Sequence, residues 1–317
     1  MKILFFGSSD FSVPFLKEIY KSKHSISLVI TGIDKRSGRG KKILSNPVKK
    51  WAVESGIDFF QIKTLDFKFI NYLKDIDFNC IVVVSFGMII PKDLLKLCYD
   101  RCINVHPSLL PKYRGPSPIT SPILNGDNKT GISIIRITEK VDEGDIYIQD
   151  EFRINSSDNK DMVEKKLIKI GCPLLISVLD LIEEKGIEPV PQDNKNATYT
   201  KLIDKKDLNL DWNNSAINIV NKIRAFSSKP GSFSTWNVKR IKILKASVYN
   251  DKEIKYFRKG NGGNGTVIAA DKKSGLLIRC NKNEIIRIEC LKPSGKNEMS
   301  FLDFLNGYKI KVGERFG

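Results

Sequence analysis

One histidine of this chain lies two residues after an asparagine, at the end of a hydrophobic strand pattern. The run is Asn104-Val105-His106-Pro107, and a stiff, basic, proline-rich segment follows it at residues 108–118. Side chains two residues apart on a strand point to the same face, so Asn104 and His106 are predicted to lie side by side. An amide donor beside a titratable ring is suited to hold a carbonyl oxygen while that oxygen becomes an oxyanion.

A structural role is the usual explanation for a single histidine in an apolar segment. The strand end, the adjacent Asn104 and the prolines at 107 and 111 favour a functional role for His106 instead. The other histidine, His24, lies in a polar connection between a helix and a strand, and it is predicted to be a surface residue.

A third chemical group follows the predicted strand at residues 131–137, on a loop at residues 141–146. Aspartates in such loops are commonly turn formers, and Asp145 is predicted to be one. Asp142 can reach the cleft of His106 from this loop. There it would orient the imidazole or relay a proton through water.

The elements that must position these groups alternate along the first part of the chain. Predicted strands occupy residues 2–6, 26–31, 80–85, 102–106 and 131–137. Predicted helices occupy residues 12–21, 47–55, 64–74, 92–97, 117–125 and 160–184. Near-continuous apolar strands indicate a parallel sheet covered on both faces. The pattern predicts an α/β fold with a Rossmann-like, doubly wound, mostly parallel sheet and a cleft at the carboxyl ends of its strands.

The first strand ends in a turn at Gly7, where Ser9 or Asp10 is predicted to cap the following helix. The glycine fingerprint of dinucleotide-binding proteins is missing from this turn, which argues against a nicotinamide dehydrogenase.

The C-terminal third differs from the rest in pattern and in charge. Residues 1–189 are predicted to form the catalytic domain, 190–205 a linker, and 206–317 a small C-terminal OB-like β-barrel domain of short strands. The chain carries a formal charge of +17, and residues 205–317 contribute 23 basic against 10 acidic residues. Biased codon usage contributes to the basic composition, but alone it would spread the excess evenly, so this concentration favours a polyanion-binding domain.

Composition limits the class of protein. The six cysteines are scattered and complete no zinc-binding pattern, which indicates buried free thiols. No apolar stretch approaches the roughly 20 residues of a membrane helix, and the N-terminal segment resembles a buried strand rather than a signal peptide. We therefore expect a cytoplasmic protein without a membrane partner, and nothing in the sequence demands more than a monomer.

Several motifs together resemble one family. NVHPSLLPKYRG at residues 104–115, VDEGD at 141–145 and GSSDFS at 7–12 are similar to motifs of the 10-formyltetrahydrofolate-dependent formyltransferases. The basic loop DKRSGRGKK at residues 34–42 is typical of the members that modify tRNA, and the resemblance spans essentially the whole chain.

The resemblance implies an enzyme of translation initiation and one-carbon metabolism. It would transfer the formyl group of 10-formyltetrahydrofolate, its co-substrate, to the α-amine of initiator methionyl-tRNA without a metal. The resemblance implies that Asn104, His106 and Asp142 are the catalytic residues. The implied folate-binding residues are Ser108, Leu109, Leu110, Pro111, Met88 and Ile90, and the implied tRNA-binding residues are Arg39, Lys41 and Lys42.

Other functions share these features. A sugar-nucleotide N-formyltransferase or a formyltetrahydrofolate hydrolase would have the same Asn-His-Asp site, but neither explains the C-terminal concentration of positive charge. A nucleic-acid-binding module on a vestigial formyltransferase fold would account for that charge. The intact set of Asn104, His106 and Asp142 argues against it.

Overall fold

The structure is a computed structural model that describes residues 1–37, 42–250 and 262–317. The chain divides into two compact units. Unit 1 comprises residues 1–118, 129–153 and 164–201, and unit 2 comprises residues 119–128, 154–163 and 202–317. The predicted domain boundaries were contiguous, and they stay a prediction.

The strands described before residue 160 include a seven-stranded sheet and a short separate hairpin. In chain order they are β1 (Lys2–Gly7), β2 (Ser25–Gly32), β3 (Lys35–Ser37), β4 (Lys42–Leu44), β5 (Phe59–Ile62), β6 (Cys80–Val84), β7 (Cys102–His106), β8 (Lys129–Arg136) and β9 (Ile146–Arg153). The sheet has the order β5-β2-β1-β6-β7-β8-β9, and β3 pairs with β4. All neighbouring strands from β5 through β7 in this order are parallel. Strand β8 is antiparallel to both of its neighbours, β7 and β9. The predicted mostly parallel, doubly wound sheet is thus confirmed.

The helices described along the whole chain agree closely with the predicted ones before residue 184. In chain order they are α1 (Ser12–Lys21), α2 (Pro47–Glu54), α3 (Phe67–Lys74), α4 (Lys92–Leu95), α5 (Thr120–Asn125), α6 (Lys160–Glu183), α7 (Ala216–Phe226) and α8 (Phe301–Tyr308). In the part of the chain that the structure describes, no helix is both long and apolar enough to cross a bilayer.

The central strand β1 is buried on both faces. Leu4 and Phe6 pack in one cluster with residues of α3 and α4, including Leu73 and Leu94. The alternate residues Ile3 and Phe5 are fully buried too, and strand alternation places them on the opposite face. This burial explains why β1 has no polar residue between Ile3 and Phe6.

The topological switch point lies at β1, because β2 and β6 flank it on opposite sides. Ligands of open α/β sheets bind at the carboxyl ends of strands near such a point. The carboxyl ends of β1, β6 and β7 lie side by side, since Gly7 pairs with Val84 and Val84 with Val105. His106 is therefore at the edge of the sheet where the fold provides a cleft.

The turn after β1 is built differently from the prediction. Neither Ser9 nor Asp10 caps α1, whose N-cap is Phe11 without a side-chain hydrogen bond. The hydroxyl of Ser12 accepts from the Ser9 N–H at 3.3 Å and donates to the Val84 carbonyl at 2.5 Å. The capping prediction was wrong because Ser12, inside the helix, holds the turn against the neighbouring strand.

His24 is buried, so its predicted surface position was wrong. Its Nδ1 accepts from the Met1 ammonium at 3.0 Å, and its Nε2 lies 3.2 Å from Asp180 Oδ1. Burial, followed by the charge of that ammonium, lowers the pKa of His24. Glu183 completes the surroundings by accepting from the same ammonium at 2.7 Å.

Unit 2 contains a six-stranded antiparallel sheet. Its strands are β10 (Ser232–Trp236), β11 (Lys239–Val248), β12 (Val267–Asp271), β13 (Gly275–Arg279), β14 (Ile285–Pro293) and β15 (Met299–Ser300). The order is β10-β11-β14-β13-β12, with β15 beside β14. Trp212, Ile223 and Phe304 belong to the core that this sheet shares with α7 and α8.

The C-terminal residues hydrogen-bond to both edges of that sheet. The Val267 N–H on β12 donates to Glu314 at 2.8 Å, and the Gly317 N–H donates to Thr235 on β10 at 3.0 Å. These bonds cover part of each edge strand, which reduces its availability to another chain. The sheet thus forms the small C-terminal β-domain that the strand pattern predicted, as an antiparallel sheet of six strands.

Part of the predicted linker is packed into unit 1. Val190 and Ile146 exchange backbone hydrogen bonds of 2.8 and 2.9 Å. The Arg114 N–H donates to the Thr198 carbonyl at 2.9 Å, and the Thr200 N–H donates to the Arg114 carbonyl at 2.7 Å. Residues 190–200 therefore support the loops that surround His106.

Candidate active site

The structure brings Asn104, His106 and Asp142 together. Asp142 Oδ1 lies 3.4 Å from Asn104 Nδ2 and 3.4 Å from His106 Nδ1. The side chains of His106 and Asp142 are only 5% and 12% exposed. Shielding from water strengthens the electrostatic interaction between such groups. We call these three residues the Asn-His-Asp group.

Both ring nitrogens of His106 face an acceptor. Nε2 lies 3.0 Å from the carbonyl of Tyr113, which can only accept, so Nε2 carries a proton. Nδ1 faces the Asp142 carboxylate. The ring is thus held between an acceptor on each side.

Asp142 is held by more than the histidine. Its Oδ2 accepts the backbone N–H of Gly115 at 2.8 Å. Burial acts to raise the pKa of Asp142. The hydrogen bond and charge of His106, the Gly115 N–H and the charge of Arg114 outweigh that effect and lower the pKa overall. The carboxylate is therefore ionised at neutral pH.

The loop that carries Asp142 begins at one end of β7 and brings Asp142 to residues nearer the other end. Because β8 is antiparallel to β7, the loop after β8 begins beside Cys102, where the Ile137 N–H donates to the Cys102 carbonyl at 2.7 Å. Asp142 lies further along, against Asn104 and His106, and has a φ of +56°. An L-residue in this left-handed region is uncommon, although aspartate tolerates it better than most.

Gly144 and Asp145 fix the end of that loop. A Cβ on Gly144 would lie 1.7 Å from the Arg136 carbonyl oxygen, so only glycine fits there. The Asp145 carboxylate is paired with the Arg136 guanidinium. Asp145 thus anchors the loop, as a turn residue would, while Asp142 alone faces His106.

The support that Gln192 and Arg114 give to the site was not predicted from the sequence. Gln192 Nε2 donates to the carbonyls of Asp142 and Gly144 at 2.8 and 2.7 Å. Its Oε1 accepts from Arg114 Nε and Nη2 at 3.1 and 2.7 Å. Gln192 lies in a segment without periodicity and gave no sequence signal. Arg114 lies in the motif at residues 104–115, which did give one.

The segment Ser108–Pro111 (the predicted folate-binding motif) is fixed by a buried serine on β8. Ser133 Oγ donates to the Ser108 carbonyl at 2.6 Å and accepts the Leu110 N–H at 3.1 Å. Gln149 Nε2 donates to the Leu110 carbonyl at 2.9 Å. These contacts give the segment a defined turn beside His106. The contact of Ser108, Leu109, Leu110 and Pro111 with folate stays a prediction.

Met88 and Ile90 lie on the loop that follows β6, at the same edge of the sheet as His106. Ile90 is buried and Met88 is half-buried, whereas Ile89 between them is 71% exposed. An exposed apolar side chain at a strand-end loop is suited to contact a flat, partly apolar ring. The folate role of Met88 and Ile90 stays a prediction.

The predicted tRNA-binding residues Arg39 and Lys41 lie outside the described residues. Lys42 begins β4, and its side chain is also outside the description. The described residues on either side are well anchored. Asp34 Oδ2 accepts from Lys49 Nζ at 2.7 Å and Asp34 Oδ1 accepts the Asn46 N–H at 2.9 Å. These bonds, the Lys49 side chain first, lower the pKa of Asp34 to about 2.

The arrangement has the parts needed for acyl-type transfer. Asn104 and His106 supply neighbouring N–H donors, and Asp142 supplies a carboxylate that orients the ring and can accept a proton. Among the described residues the group of His24, Asp180 and Glu183 could also hold a metal ion by type and proximity. It shares no residue with the Asn-His-Asp group.

Two family models cover most of the chain. A model described as formyl transferase matches residues 1–179, and one described as formyl transferase, C-terminal domain, matches residues 202–309. Curated relatives match along their full length. The methionyl-tRNA formyltransferase of Dictyoglomus thermophilum is 38% identical over 100% of both chains, and that of Natranaerobius thermophilus is 35% identical over 99% of both.

Solved structures show the same fold. An N-formyltransferase from Helicobacter canadensis, in complex with folinic acid and dTDP-3-aminofucose, has a TM-score of 0.65 and 21% identity over 91% of this chain and 98% of that one. HypX from Aquifex aeolicus, in complex with tetrahydrofolic acid, has a TM-score of 0.66 and 16% identity over 99% of this chain and 48% of that one. With the full-length matches and the two family models, this establishes that the chain belongs to the formyltransferase family.

Proposed function

We propose that this protein transfers the formyl group of 10-formyltetrahydrofolate to the α-amine of methionine carried by initiator tRNA. The observation that carries the chemistry is that Asp142 Oδ1 lies 3.4 Å from both Asn104 Nδ2 and His106 Nδ1 in a shielded site. The acceptor is suggested by full-length relatives, which are methionyl-tRNA formyltransferases.

The loops around this site offer an apolar surface for the folate donor. The exposed Ile89 and half-buried Met88 lie at the sheet edge next to β7. Bound there, 10-formyltetrahydrofolate supplies an activated formyl carbon. Relatives of the same fold were solved with folinic or tetrahydrofolic acid, which supports this co-substrate.

Asn104 and His106 would stabilise negative charge on the formyl oxygen. The Asn104 amide contacts Asp142 at a long 3.4 Å, so turning this donor to a closer oxyanion costs little. His106 Nε2 donates to the neutral Tyr113 carbonyl, and an oxyanion is the stronger acceptor of the two. One preorganised donor of this kind contributes about 3–4 kcal/mol to transition-state stabilisation.

Asp142 would serve the proton transfers. Its lowered pKa keeps it ionised, so it can accept a proton from the attacking amine, directly or through a water, and orient the ring of His106. The same residue then returns a proton to the departing nitrogen. The chain's own groups complete this cycle without a covalent enzyme intermediate.

The excess of positive charge in residues 205–317 supports a polyanionic acceptor. Arg39, Lys41 and Lys42 stay predicted contacts of the tRNA acceptor end. The predicted linker role of residues 190–205, a monomeric state and a cytoplasmic location are likewise proposals.

An acceptor comparison tests the function. The protein is incubated with 10-formyltetrahydrofolate carrying a labelled formyl group and, in separate reactions, methionyl initiator tRNA, a dTDP-aminosugar or no acceptor. Label on the aminoacyl-tRNA alone is the expected result. Label on the sugar, or formate released at the same rate without an acceptor, would contradict the proposal and favour a sugar N-formyltransferase or a hydrolase.

A further inference from the structure

We propose that Gln192, held in place by Arg114, is a positioning residue that sets the backbone of Asp142 and so aligns the Asn-His-Asp group. The inference rests on the proposed function in assigning chemistry to that group. It concerns a glutamine that lies 50 residues after Asp142 and has no hydrogen bond to Asn104 or His106 among those described.

Gln192 uses every hydrogen-bonding atom of its amide. Nε2 donates to the carbonyls of Asp142 and Gly144 at 2.8 and 2.7 Å, and Oε1 accepts two bonds from Arg114. Because both Nε2 hydrogens are used on the same loop, the amide fixes two peptide groups that flank the turn after Asp142. A side chain that only filled space would not need this pattern.

Arg114 is too buried to be explained as a surface contact. Its side chain is 1% exposed. Apart from Gln192, its guanidinium donates to Asn194 Oδ1 at 2.6 Å and to the Tyr199 hydroxyl at 3.2 Å, and lies 3.5 Å from Glu143. A buried guanidinium must be fully hydrogen-bonded, so it acts as a rigid support for Gln192.

The neighbours of Arg114 hold the other two parts of the site. The carbonyl of Tyr113 accepts from His106 Nε2, and the N–H of Gly115 donates to Asp142 Oδ2. Three successive residues therefore hold the ring, the glutamine and the carboxylate. The position of His106 relative to Asp142 depends on this single turn and on the Gln192 bridge.

Asp142 needs such support because its backbone is strained. Its φ of +56° lies in the left-handed region, which residues with a Cβ rarely adopt. The hydrogen bond from Gln192 to its carbonyl stabilises that conformation. Loss of the bond would let residue 142 relax toward negative φ and move the carboxylate away from His106.

The test uses two replacements of Gln192 and a matched control. Gln192→Met removes both donors without adding charge. Gln192→Glu keeps the acceptor for Arg114 but sets a carboxylate against two carbonyls. The control is Asn196→Asp, the same amide-to-carboxylate change at an exposed residue of the same segment, which bonds only to Asp193 among the contacts described.

Kinetics give the first readout. For Gln192→Met and Gln192→Glu we expect kcat to fall on the order of 10- to 100-fold, since a displacement of about 1 Å has effects of that size. The KM for tRNA should stay close to the wild-type value. The acid limb of the pH profile should move to higher pH as Asp142 loses its partners. Asn196→Asp should match the wild type in all three respects.

The histidine rings give a second readout that does not depend on the acceptor. The chain has two histidines, so ¹⁵N-histidine labelling yields two sets of ring signals. In both Gln192 variants the His106 set should shift while the His24 set stays unchanged and reports an intact fold. If the wild type failed to formylate tRNA but the His106 signals still responded, only the proposed function would fall.

The outcomes are decisive in each direction. A lowered kcat together with shifted His106 signals in either folded variant supports the proposal. Wild-type kcat, or a lowered kcat with unchanged His106 signals, would overturn it. Failure of both variants to fold while Asn196→Asp folds would also overturn it, because Gln192 would then be required for folding rather than for alignment.

Discussion

His106 Nδ1 and Asp142 Oδ1 lie 3.4 Å apart, although the two residues come from a strand and from a loop 36 positions later. The ring is held from its other side by the Tyr113 carbonyl, and the carboxylate by the Gly115 N–H. The pair is thus fixed from both ends, which limits the reorganisation needed when charge develops on a substrate.

The ionisation of Asp142 makes stability depend on pH in a defined direction. Its pKa is lowered in the folded protein, so its stabilising contribution is present above the unfolded value of about 3.9 and is lost as pH falls through the folded pKa. At pH 7 we expect Asp142→Asn to lower the free energy of unfolding by about 1–3 kcal/mol. Urea unfolding at a series of pH values measures this difference.

The difference between wild type and Asp142→Asn should be constant from about pH 5 to 7 and shrink below about pH 4. Asp145→Asn serves as the comparison on the same loop. A difference for Asp142→Asn that stayed the same down to pH 3 would show that the carboxylate is not stabilised in its charged form.

Asn104→Ala removes one of the two proposed oxyanion donors. We expect kcat for formyl transfer to fall by about 10²–10³-fold, with KM for tRNA nearly unchanged, because the bond forms mainly in the transition state. Steady-state kinetics with both substrates varied give the two constants. The control is Asn71→Ala on α3, and a raised KM at constant kcat in Asn104→Ala would assign Asn104 to substrate binding instead.

Gly115→Ala tests the backbone donor to Asp142. Gly115 has a φ of +106°, and a Cβ there would lie 2.9 Å from Thr200 Oγ1 and 3.0 Å from the Thr200 carbonyl oxygen. We expect a loss of about 1–3 kcal/mol in the free energy of unfolding, measured with urea. Gly307→Ala in α8, where the added Cβ meets no described atom within 4 Å beyond its chain neighbours and the helix backbone, should instead stabilise by about 0.5–1 kcal/mol. Equal effects at the two glycines would remove the conformational argument.

Unit 2 has a basic stripe formed by Arg240, Lys242 and Lys292. Lys242 and Lys292 lie directly opposite each other on β11 and β14, where like charges repel unless an anion lies between them. We expect the double variant Lys242→Gln/Lys292→Gln to bind tRNA more weakly. Its slope of log affinity against log salt should be smaller by about 1–2, as measured by filter binding at several salt concentrations.

Two exposed lysines of unit 1 provide the control for charge itself. Lys50→Gln/Lys74→Gln removes the same number of charges from α2 and α3, and its salt slope should stay near the wild-type value. If both double variants changed the slope equally, tRNA attraction would come from net charge rather than from the basic stripe.

Much of the fold could be predicted because its signals are local. The apolar runs of β1, β6 and β7 and the pattern of α1, α2 and α6 gave elements within one or two residues of those observed. The placement of Asn104 and His106 on the same face of β7 followed from strand alternation alone. Strand β5, with two exposed or half-buried phenylalanines, and α8, a short helix within a strand-rich region, carried weaker patterns and were not predicted.

The remaining errors concern contacts between distant parts of the chain. His24 is buried because Asp180 and the Met1 ammonium surround it, and no local pattern around residue 24 contains that information. Gln192 was assigned to a linker because one buried amide leaves no periodicity. Its importance depends on Arg114 and on the Asp142 loop, which only the folded chain brings together.

The most direct test of the central claim is a double-mutant cycle on His106 and Asp142. Single-turnover formyl transfer to methionyl initiator tRNA is measured for His106→Gln, Asp142→Asn and the double variant. If the two residues act as one unit, the single-turnover rate of the double variant should lie within about two- to threefold of the rate of the slower single variant. Rate losses that multiply across the two sites would contradict the account, because the residues would then act independently.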